Sequence, residues 1–327
     1  MTLVILGSTL TIVSTEIFPS TLLAAVRYFE EEAVCRDFLA GLRWPNGVVC
    51  PFCQSEKVGH IATRSLWRCK DCRKQFSVKK GTIFEDSPIP LSKWLPAIWL
   101  YSAGKKGRSS HQLARDLGIT QKSAWFMSHR IRLAMETESF DAPMSGEVEV
   151  DETIMGGHDK NKHSYLRRGT WGKQVGKVAV MGLLERGGEV RAKMVPSRTS
   201  ALLQKEIRSN VAPGSILYTD AFASYRHGLE ADYIHEVIDH SEDYVRGRVH
   251  TNGIENFWSL FKRVIYGTHH SVEPFHLDRY LDETVLRFST RAMTDAGGFS
   301  LTSARTTGRR ITYKELTGKL DSKGATA

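Results

Sequence analysis

Three acidic residues stand where a metal-dependent reaction could use them together. Asp151 is predicted to end a strand rich in Val and Glu within GEVEVDETIMGG, Asp220 ends the predicted strand SILYTD, and Glu255 lies in the first turn of the predicted helix TNGIENFWSLFKR. Carboxylates at the ends of neighbouring strands can share cations, and a helix packed over that edge can add a third ligand. Two Mg²⁺ ions about 4 Å apart can activate a hydroxyl and stabilise the departing oxygen in phosphodiester exchange. A solvated surface acid is the ordinary explanation for any one of them, but three in these elements favour a catalytic site.

The helix that carries Glu255 adds a second indication. Asn252, Glu255, Ser259 and Lys262 follow a 3-4-3 spacing and therefore share one helix face. A carboxylate and a lysine on a face that also bears an amide and a hydroxyl suit a metal ion and a phosphate. The apolar side chains of this helix point to the other side and predict its packing against a core.

Four of the five cysteines form two close pairs, Cys50-Pro-Phe-Cys53 and Cys69-Lys-Asp-Cys72. Two such knuckles supply four thiolates to one tetrahedral Zn²⁺, as in a zinc ribbon. Four protein ligands leave no open position, so the predicted zinc is structural. A redox role for one pair is the weaker alternative, because it would leave the second pair unexplained.

A helix-turn-helix is predicted from SSHQLARDLGITQKSAWFMSHRIR, where a glycine separates two helical segments. The second helix would present Gln121, Lys122, His129 and Arg130 to DNA. Helical hairpins that do not bind DNA are common. The basic residues around this one favour the DNA-binding interpretation. Residues 43–80 hold nine Lys or Arg against two acidic residues, interleaved with aromatics.

The predicted secondary structure that positions these residues changes along the chain. Apolar spacing is helical up to residue 137 and then alternates with period two, which predicts strands followed by helices. We therefore expect the following segments: an uncertain leader at 1–15, an N-terminal helix at 16–42, the zinc ribbon at 43–87, a helical helix-turn-helix-like region at 88–137, a linker at 138–146, an α/β catalytic domain at 147–290, and a polar basic tail at 291–327.

The bulk composition points towards a nucleic-acid partner. Lys and Arg exceed Asp and Glu by nine in 327 residues, although a merely basic soluble protein is the alternative. Paired cysteines at metal-ligand spacing favour a reducing cytoplasm over a secreted disulfide framework. The apolar leader lacks a basic n-region and is too short to span a bilayer, so neither export nor a membrane is expected.

The ordered motifs resemble the zinc-ribbon-bearing DDE transposases of bacterial insertion sequences, the ISXO-two-like group. The resemblance covers roughly residues 17–290, with a short echo at 311–318. The sequence departs from the family pattern at the leader and after Phe288. A frameshift or a degenerate copy would explain both departures. The motifs that carry it are RWPNGVVCPFC (43–53), RCKDCRKQFSVKKGTIFEDS (68–87), EVDETIMGG (149–157), LYTDAFASY (217–225) and HTNGIENFWSLFKRVIYGTHH (250–270).

The resemblance implies an RNase H-like domain with a mixed five-stranded sheet and flanking helices. It also implies cleavage at terminal inverted repeats, strand transfer into target DNA, and two Mg²⁺ ions for which Mn²⁺ can substitute. Asp151, Asp220 and Glu255 match the family's metal-binding trio, with Asn252 and Asn256 as alternatives for the third ligand. A homodimer or larger assembly on DNA, within the nucleoid, is expected. The candidate DNA-contacting residues are Asn252, Lys262, Arg263, Lys122 and Arg130.

Two other hypotheses remain open from the sequence. The first is a non-enzymatic DNA-binding regulator built from the ribbon and the helix-turn-helix, which would leave the carboxylate trio without a role. The second is an inactive transposase relic, which the altered ends favour and the intact trio opposes. The basic segment 158–177 could hold DNA near Asp151, with a plain exposed loop as the alternative.

Overall fold

A computed structural model describes residues 18–136, 142–156, 177–225, 227–238 and 247–318, and the backbone of 4–6 and 9–11. Residues 138–141 of the predicted linker, residues 158–176 of the basic segment and much of the leader fall outside the described residues. The chain divides into an N-terminal unit, Met1–Met135 with Ala292–Ala327, and a central unit, Glu136–Arg291. No helix among the described residues is long and apolar enough to cross a membrane.

The N-terminal unit combines helices with a small antiparallel sheet. Its sheet has the order β3-β4-β5, and β1 pairs with β2 in a separate hairpin. Its elements are β1 (Val4–Leu6), β2 (Thr9–Thr11), α1 (Leu22–Tyr28), α2 (Glu32–Arg43), β3 (Val58–Ile61), a 3-10 turn (Ala62–Arg64), β4 (Leu66–Cys69), β5 (Gln75–Phe76), α3 (Leu91–Ala103), α4 (Ser110–Leu117) and α5 (Gln121–Met135).

The segment expected to be one N-terminal helix forms two, because the chain leaves helical geometry between Phe29 and Glu31. Phe29 is fully buried and its ring packs 5.0 Å from that of Phe38. Glu31 is extended, at φ −84° and ψ 127°. The Glu32 carboxylate then accepts hydrogen bonds from the backbone N–H groups of Leu91 and Ser92, at 3.1 and 3.2 Å, which caps α3.

The central unit is an α/β fold around a mixed sheet of strand order β10-β9-β6-β7-β8. The pairs β10/β9 and β9/β6 are parallel, and β6/β7 and β7/β8 are antiparallel. This arrangement confirms the predicted mixed five-stranded sheet. Its elements are β6 (Glu147–Met155), β7 (Val178–Glu185), β8 (Val190–Val195), α6 (Ser200–Asn210), β9 (Ile216–Asp220), β10 (Ile234–Ile238), α7 (Asn252–Arg263), a π-helix (Val264–His269) and α8 (Pro274–Ser289).

Helices cover both faces of this sheet. Val180 and Leu184 of β7 pack with the buried side chains of α7 and α8, whereas Met181 and Leu183 pack with those of α6. Alternate residues of a strand point to opposite faces, so α6 lies on one face and α7 with α8 on the other. The predicted helix face is confirmed, since Ile254, Phe257, Trp258 and Phe261 of α7 are buried.

The segment expected to be a polar tail begins with two further helices, α9 (Asp295–Ala304) and α10 (Tyr313–Leu316), of the N-terminal unit. Phe299 of α9 is fully buried, and its ring lies 5.1 Å from Trp99 and 5.6 Å from Phe29. Gly308 N also donates to Gly81 O at 2.9 Å. Residues 292–318 therefore help to build the core of that unit.

Candidate active site

Asp151 and Asp220 are neighbours on the adjacent parallel strands β6 and β9. In the β6/β9 register Glu149 pairs with Tyr218 and Val150 with Thr219, so the next residue of each strand is the aspartate. Residues paired in this way point to the same face of a sheet. The sheet therefore places two carboxylates side by side, as the sequence predicts.

The face that carries Asp151 is the one against which α7 packs. Gly182 of β7 lies directly opposite Asp151 in the antiparallel register. A methyl group at Gly182 would lie 2.6 Å from Trp258 Cζ2 and 2.8 Å from Ile254 Cδ1. The glycine thus allows the helix to approach the sheet closely, which brings Glu255 to the aspartates. Sequence reasoning did not identify Gly182, because its role depends on this long-range contact.

The electrostatics show that these acids are near one another. Burial, followed by the charges of Asp220 and Glu152, raises the pKa of Asp151 to about 7, and Glu255 adds to the effect. The backbone N–H of Glu152 donates to Asp151 Oδ1 at 2.8 Å and opposes the shift in part. Crowded carboxylates of this kind favour a bound proton or a bound cation.

Local hydrogen bonds orient the other two acids. Asp220 Oδ1 accepts from the backbone N–H of Phe222 at 3.1 Å. The Thr251 hydroxyl donates to Glu255 Oε1 at 3.1 Å. Thr251 precedes α7 and is almost fully buried, so its hydroxyl holds the Glu255 carboxylate from a fixed position. The sequence analysis missed Thr251, although its place just before the helix was a signal.

Glu152 is a fourth acid beside the site that the sequence analysis did not single out. Its Oε2 accepts from the Tyr225 hydroxyl at 2.7 Å, and its Oε1 lies 3.5 Å from Arg198 NH1. Burial, supported by the Glu152 charge, raises the pKa of Tyr225 well above its usual value, so the phenol stays a donor. Burial raises the pKa of Glu152, and these two neighbours oppose that shift in part.

A cleft of about 750 Å³ in the central unit opens beside Asp151 and Glu255. Lys262, which shares the predicted helix face with Glu255, lies on its wall. Arg263 lies there as well, and its guanidinium donates to Ser259 Oγ at 3.2 Å. Asn252 is exposed and is not among the described residues that line the cleft. The lining consists of Asp151, Glu152, Thr153, Glu255, Trp258, Ser259, Lys262, Arg263, Tyr266 and Gly267.

The four paired cysteines form a separate cluster in the N-terminal unit. Their sulfur atoms all lie within 4.8 Å of one another, and the Cys50–Cys72 and Cys53–Cys69 Sγ distances are both 3.6 Å. Tetrahedral Zn–S bonds of about 2.3 Å would place the sulfurs about 3.8 Å apart. The thiols are not in disulfides, and their donor set and spacing fit a structural zinc ion. Among the described residues, no three carboxylates bring oxygen atoms within 4.8 Å of one another.

The predicted helix-turn-helix elements are present as α4 and α5. Ser109 Oγ accepts from Gln112 N and Thr120 Oγ1 from Ser123 N, both at 3.2 Å, so each hydroxyl caps its helix. Gly118 ends α4 in the left-handed conformation at φ 59°. Lys122 is exposed in the first turn of α5, and its Nζ lies 5.2 Å from the centre of the Tyr313 ring.

Arg130 differs from its predicted role, because it lies inside the N-terminal unit. The residue is 5% exposed, and its Nη1 donates to the carbonyls of Ile83 at 2.8 Å and Glu85 at 2.7 Å. His129 is fully buried as well. The guanidinium is committed to main-chain acceptors, so this side chain supports the fold and is not placed to contact DNA.

Known proteins resemble this chain over most of its length. The family described as "ISXO2-like transposase domain" matches residues 143–289, and the family described as "Transposase zinc-ribbon domain" matches residues 30–75. An "Uncharacterized protein in transposable element ISH50" of Halobacterium salinarum is 30% identical over 281 residues, which covers 80% of this chain and 92% of the relative. An "Uncharacterized transposase-like protein" of Haemophilus influenzae is 36% identical over 96 residues, or 29% and 77% of the two chains. A crystal structure of a pre-cleavage Mos1 transpososome aligns at TM-score 0.27 and 13% identity, over 63% of this chain and 76% of that one.

Proposed function

Because this chain belongs to the ISXO2-like transposase family, we propose that it cleaves DNA at the ends of its element and joins them to target DNA. The proposal is supported by the adjacency of Asp151 and Asp220 on paired strands and by the charges of Asp220 and Glu255, which help to raise the pKa of Asp151. The three carboxylates act as catalytic residues and as ligands of divalent cations. Double-stranded DNA is the substrate.

The donor set suits Mg²⁺, because hard divalent cations prefer carboxylate oxygens. Two such ions would supply activation of the attacking hydroxyl and stabilisation of the departing oxygen, and Mn²⁺ could substitute. The chain itself supplies position. Asp151 and Asp220 offer oxygens from adjacent strands, and Thr251 holds the Glu255 carboxylate towards them. The open cleft leaves room for a DNA strand beside these oxygens.

Basic residues bind the DNA backbone in this proposal. Lys262 and Arg263 line the cleft and neutralise phosphates close to the reacting bond. The exposed Lys122 contacts DNA from the N-terminal unit, and Asn252 remains a candidate contact at the start of α7. Pairing of two element ends on a dimer or a larger assembly follows from the family resemblance.

The decisive experiment measures metal-dependent nicking of a supercoiled plasmid that carries the element ends. Asp220→Asn removes one ligand charge with little change of shape, so we expect cleavage to fall by at least about a thousandfold. Binding to the element ends should persist, since the substituted residue lies outside the N-terminal unit.

Asp232→Asn is the matched control in the same unit. Asp232 makes a half-exposed ion pair with Arg208 at 2.8 Å, so its loss should change cleavage less than threefold. Substantial Mg²⁺-dependent cleavage by Asp220→Asn would overturn the proposal. A wild-type chain that binds DNA but never cleaves it would favour a regulator or an inactive relic instead.

A further inference from the structure

A buried acid lies two residues before Asp151 on the same face of β6. Glu149 is 1% exposed, and its Oε2 accepts a hydrogen bond from the backbone N–H of Ile254 at 2.9 Å. Its Oε1 accepts from Arg186 Nε at 2.8 Å. One carboxylate thus connects the central strand, the start of α7 and an arginine.

The contact with Ile254 is a helix cap supplied from the sheet. Ile254 is the third residue of α7, and the first N–H groups of a helix have no acceptor within it. Thr251 precedes the helix, but its side chain accepts no capping hydrogen bond from the first turn. A carboxylate at this position satisfies the N–H group and matches the positive end of the helix dipole. Glu149 therefore takes the place of the missing local cap.

Gly253 makes this close approach possible. A methyl group there would lie 2.5 Å from Leu184 Cδ2 and 2.8 Å from Glu149 Oε2. Contacts that short would push the helix start away from the sheet. The glycine and the buried acid together set the height of the first turn of α7 above β6 and β7.

Arg186 ties the preceding segment to the same acid. Its guanidinium donates to the carbonyls of Arg248 at 2.8 Å and His250 at 2.7 Å, and also to Glu147 Oε2 at 2.8 Å. Its position over the Tyr218 ring, 4.0 Å from the centroid, fixes it against β9. The chain that leads into α7 is thus held to the sheet through Arg186 and Glu149.

We propose that Glu149 is a positioning residue that fixes the first turn of α7, so that Glu255 meets Asp151 and Asp220 in a cation-binding arrangement. Glu255 directly follows Ile254, the residue whose N–H group Glu149 accepts. A displaced first turn would move the third carboxylate and leave the two aspartates in place. This inference rests on the proposed function, because it assigns Glu149 to the same site.

The test compares Glu149→Ala and Glu149→Gln in the full chain by Mn²⁺ binding, measured by electron paramagnetic resonance, and by cleavage against Mg²⁺ concentration. For Glu149→Ala we expect the half-saturating metal concentration to rise at least about tenfold and maximal cleavage to fall about a hundredfold. Glu149→Gln keeps an acceptor for Ile254 N–H and should recover most of the metal affinity, to within about fivefold of wild type.

Asp232→Asn is again the matched control in the same unit. Its half-exposed ion pair with Arg208 at 2.8 Å involves neither Arg186 nor the start of α7. We expect its metal half-saturation to stay within about threefold of wild type, and element-end binding should be unchanged in all three variants.

Two results would overturn the inference. One is a folded Glu149→Ala with wild-type metal affinity and cleavage. The other is a parallel loss of metal affinity, end binding and thermal stability, without rescue by glutamine, which would mean a general structural role. If the wild-type chain binds Mn²⁺ but does not cleave DNA, the proposed function fails, while the variants' Mn²⁺ affinities still decide the role of Glu149.

Discussion

The four cysteines of the N-terminal unit already lie at the spacing of a closed tetrahedral centre, with sulfur atoms within 4.8 Å of one another. In the central unit, Asp151 and Glu255 instead border an open cleft of about 750 Å³, and repulsion from Asp220 and Glu255 contributes to an Asp151 pKa of about 7. The first site is assembled from two short local knuckles. The second depends on a strand pair and a helix that meet only in the folded unit.

This difference separates two uses of a cation. A closed set of four thiolates leaves no position for a substrate, so the ion contributes folding free energy. Crowded oxygens beside an open cleft leave coordination positions free, at a cost in stability when no cation is bound.

The largest effect is expected at the closed centre. Cys69→Ser removes a buried ligand, and structural zinc contributes on the order of 10 kcal/mol to the folding of such small domains. The zinc ribbon should unfold, which disperses the exposed basic side chains Arg68, Lys70 and Arg73. We expect loss of zinc by elemental analysis and a fall in element-end affinity of about a hundredfold.

Cys35→Ser is the control for this prediction. Cys35 is buried in α2 and donates to Phe29 O at 3.2 Å. Burial raises the pKa of its thiol to about 12, so it is not a thiolate ligand. Zinc content should be unchanged and end affinity should stay within about threefold. Undiminished end binding by zinc-free Cys69→Ser would show that the zinc ribbon does not contact the DNA.

A smaller effect is expected at the orienting hydroxyl of the open site. Thr251→Val keeps the shape but removes the donor to Glu255, and hydrogen bonds to charged groups contribute about 1.5–3 kcal/mol. Cleavage should fall by at least about tenfold, with a higher Mg²⁺ requirement. Thr251→Ser keeps the hydroxyl and should lose less than about threefold. Equal activity of the valine and serine variants would remove Thr251 from the site.

The same contrast explains how much the sequence could predict. The cysteine pairs are local signals, and strand periodicity, which is visible in the residues, placed Asp151 and Asp220 on strands. Asp220 ends β9 as predicted, whereas Asp151 lies in the middle of β6 because that strand continues to Met155. The helical spacing of Glu255 and Lys262 was equally visible. The capping acid Glu149 and its partner Arg186 were not, since their pairing joins residues that only the sheet register brings together.

Two other differences between the predictions from the sequence and the structure have a common physical origin. Arg130 lies in α5, whose exposed surface is small because other parts of the unit cover Met127 to Ile131. Phe299 lies in a segment of glycines and small polar residues, DAGGFSLTSA, whose composition resembles a tail. In both places tertiary packing decides burial, and neither charge nor composition reveals it.

The smallest effect concerns the stability of the open site without its cations. Folding raises the pKa of Asp151 from about 3.9 in an unfolded chain to about 7. A group of this kind contributes stability that is fully present below the unfolded pKa and lost as pH rises through the folded one. Asp151→Asn removes that loss, so the Tm of the central unit should exceed wild type at pH 8 by roughly 5 °C.

The measurement is calorimetry between pH 5 and 8 in metal-depleted buffer without chelator, since a chelator would also remove zinc. The difference between variant and wild type should shrink towards pH 5, because Asp151 is then protonated in the folded chain. Adding Mg²⁺ should raise the Tm of wild type and not that of Asp151→Asn. A difference that is independent of both pH and Mg²⁺ would mean that the three carboxylates do not repel one another, and the contrast with the cysteine centre would then lose its electrostatic basis.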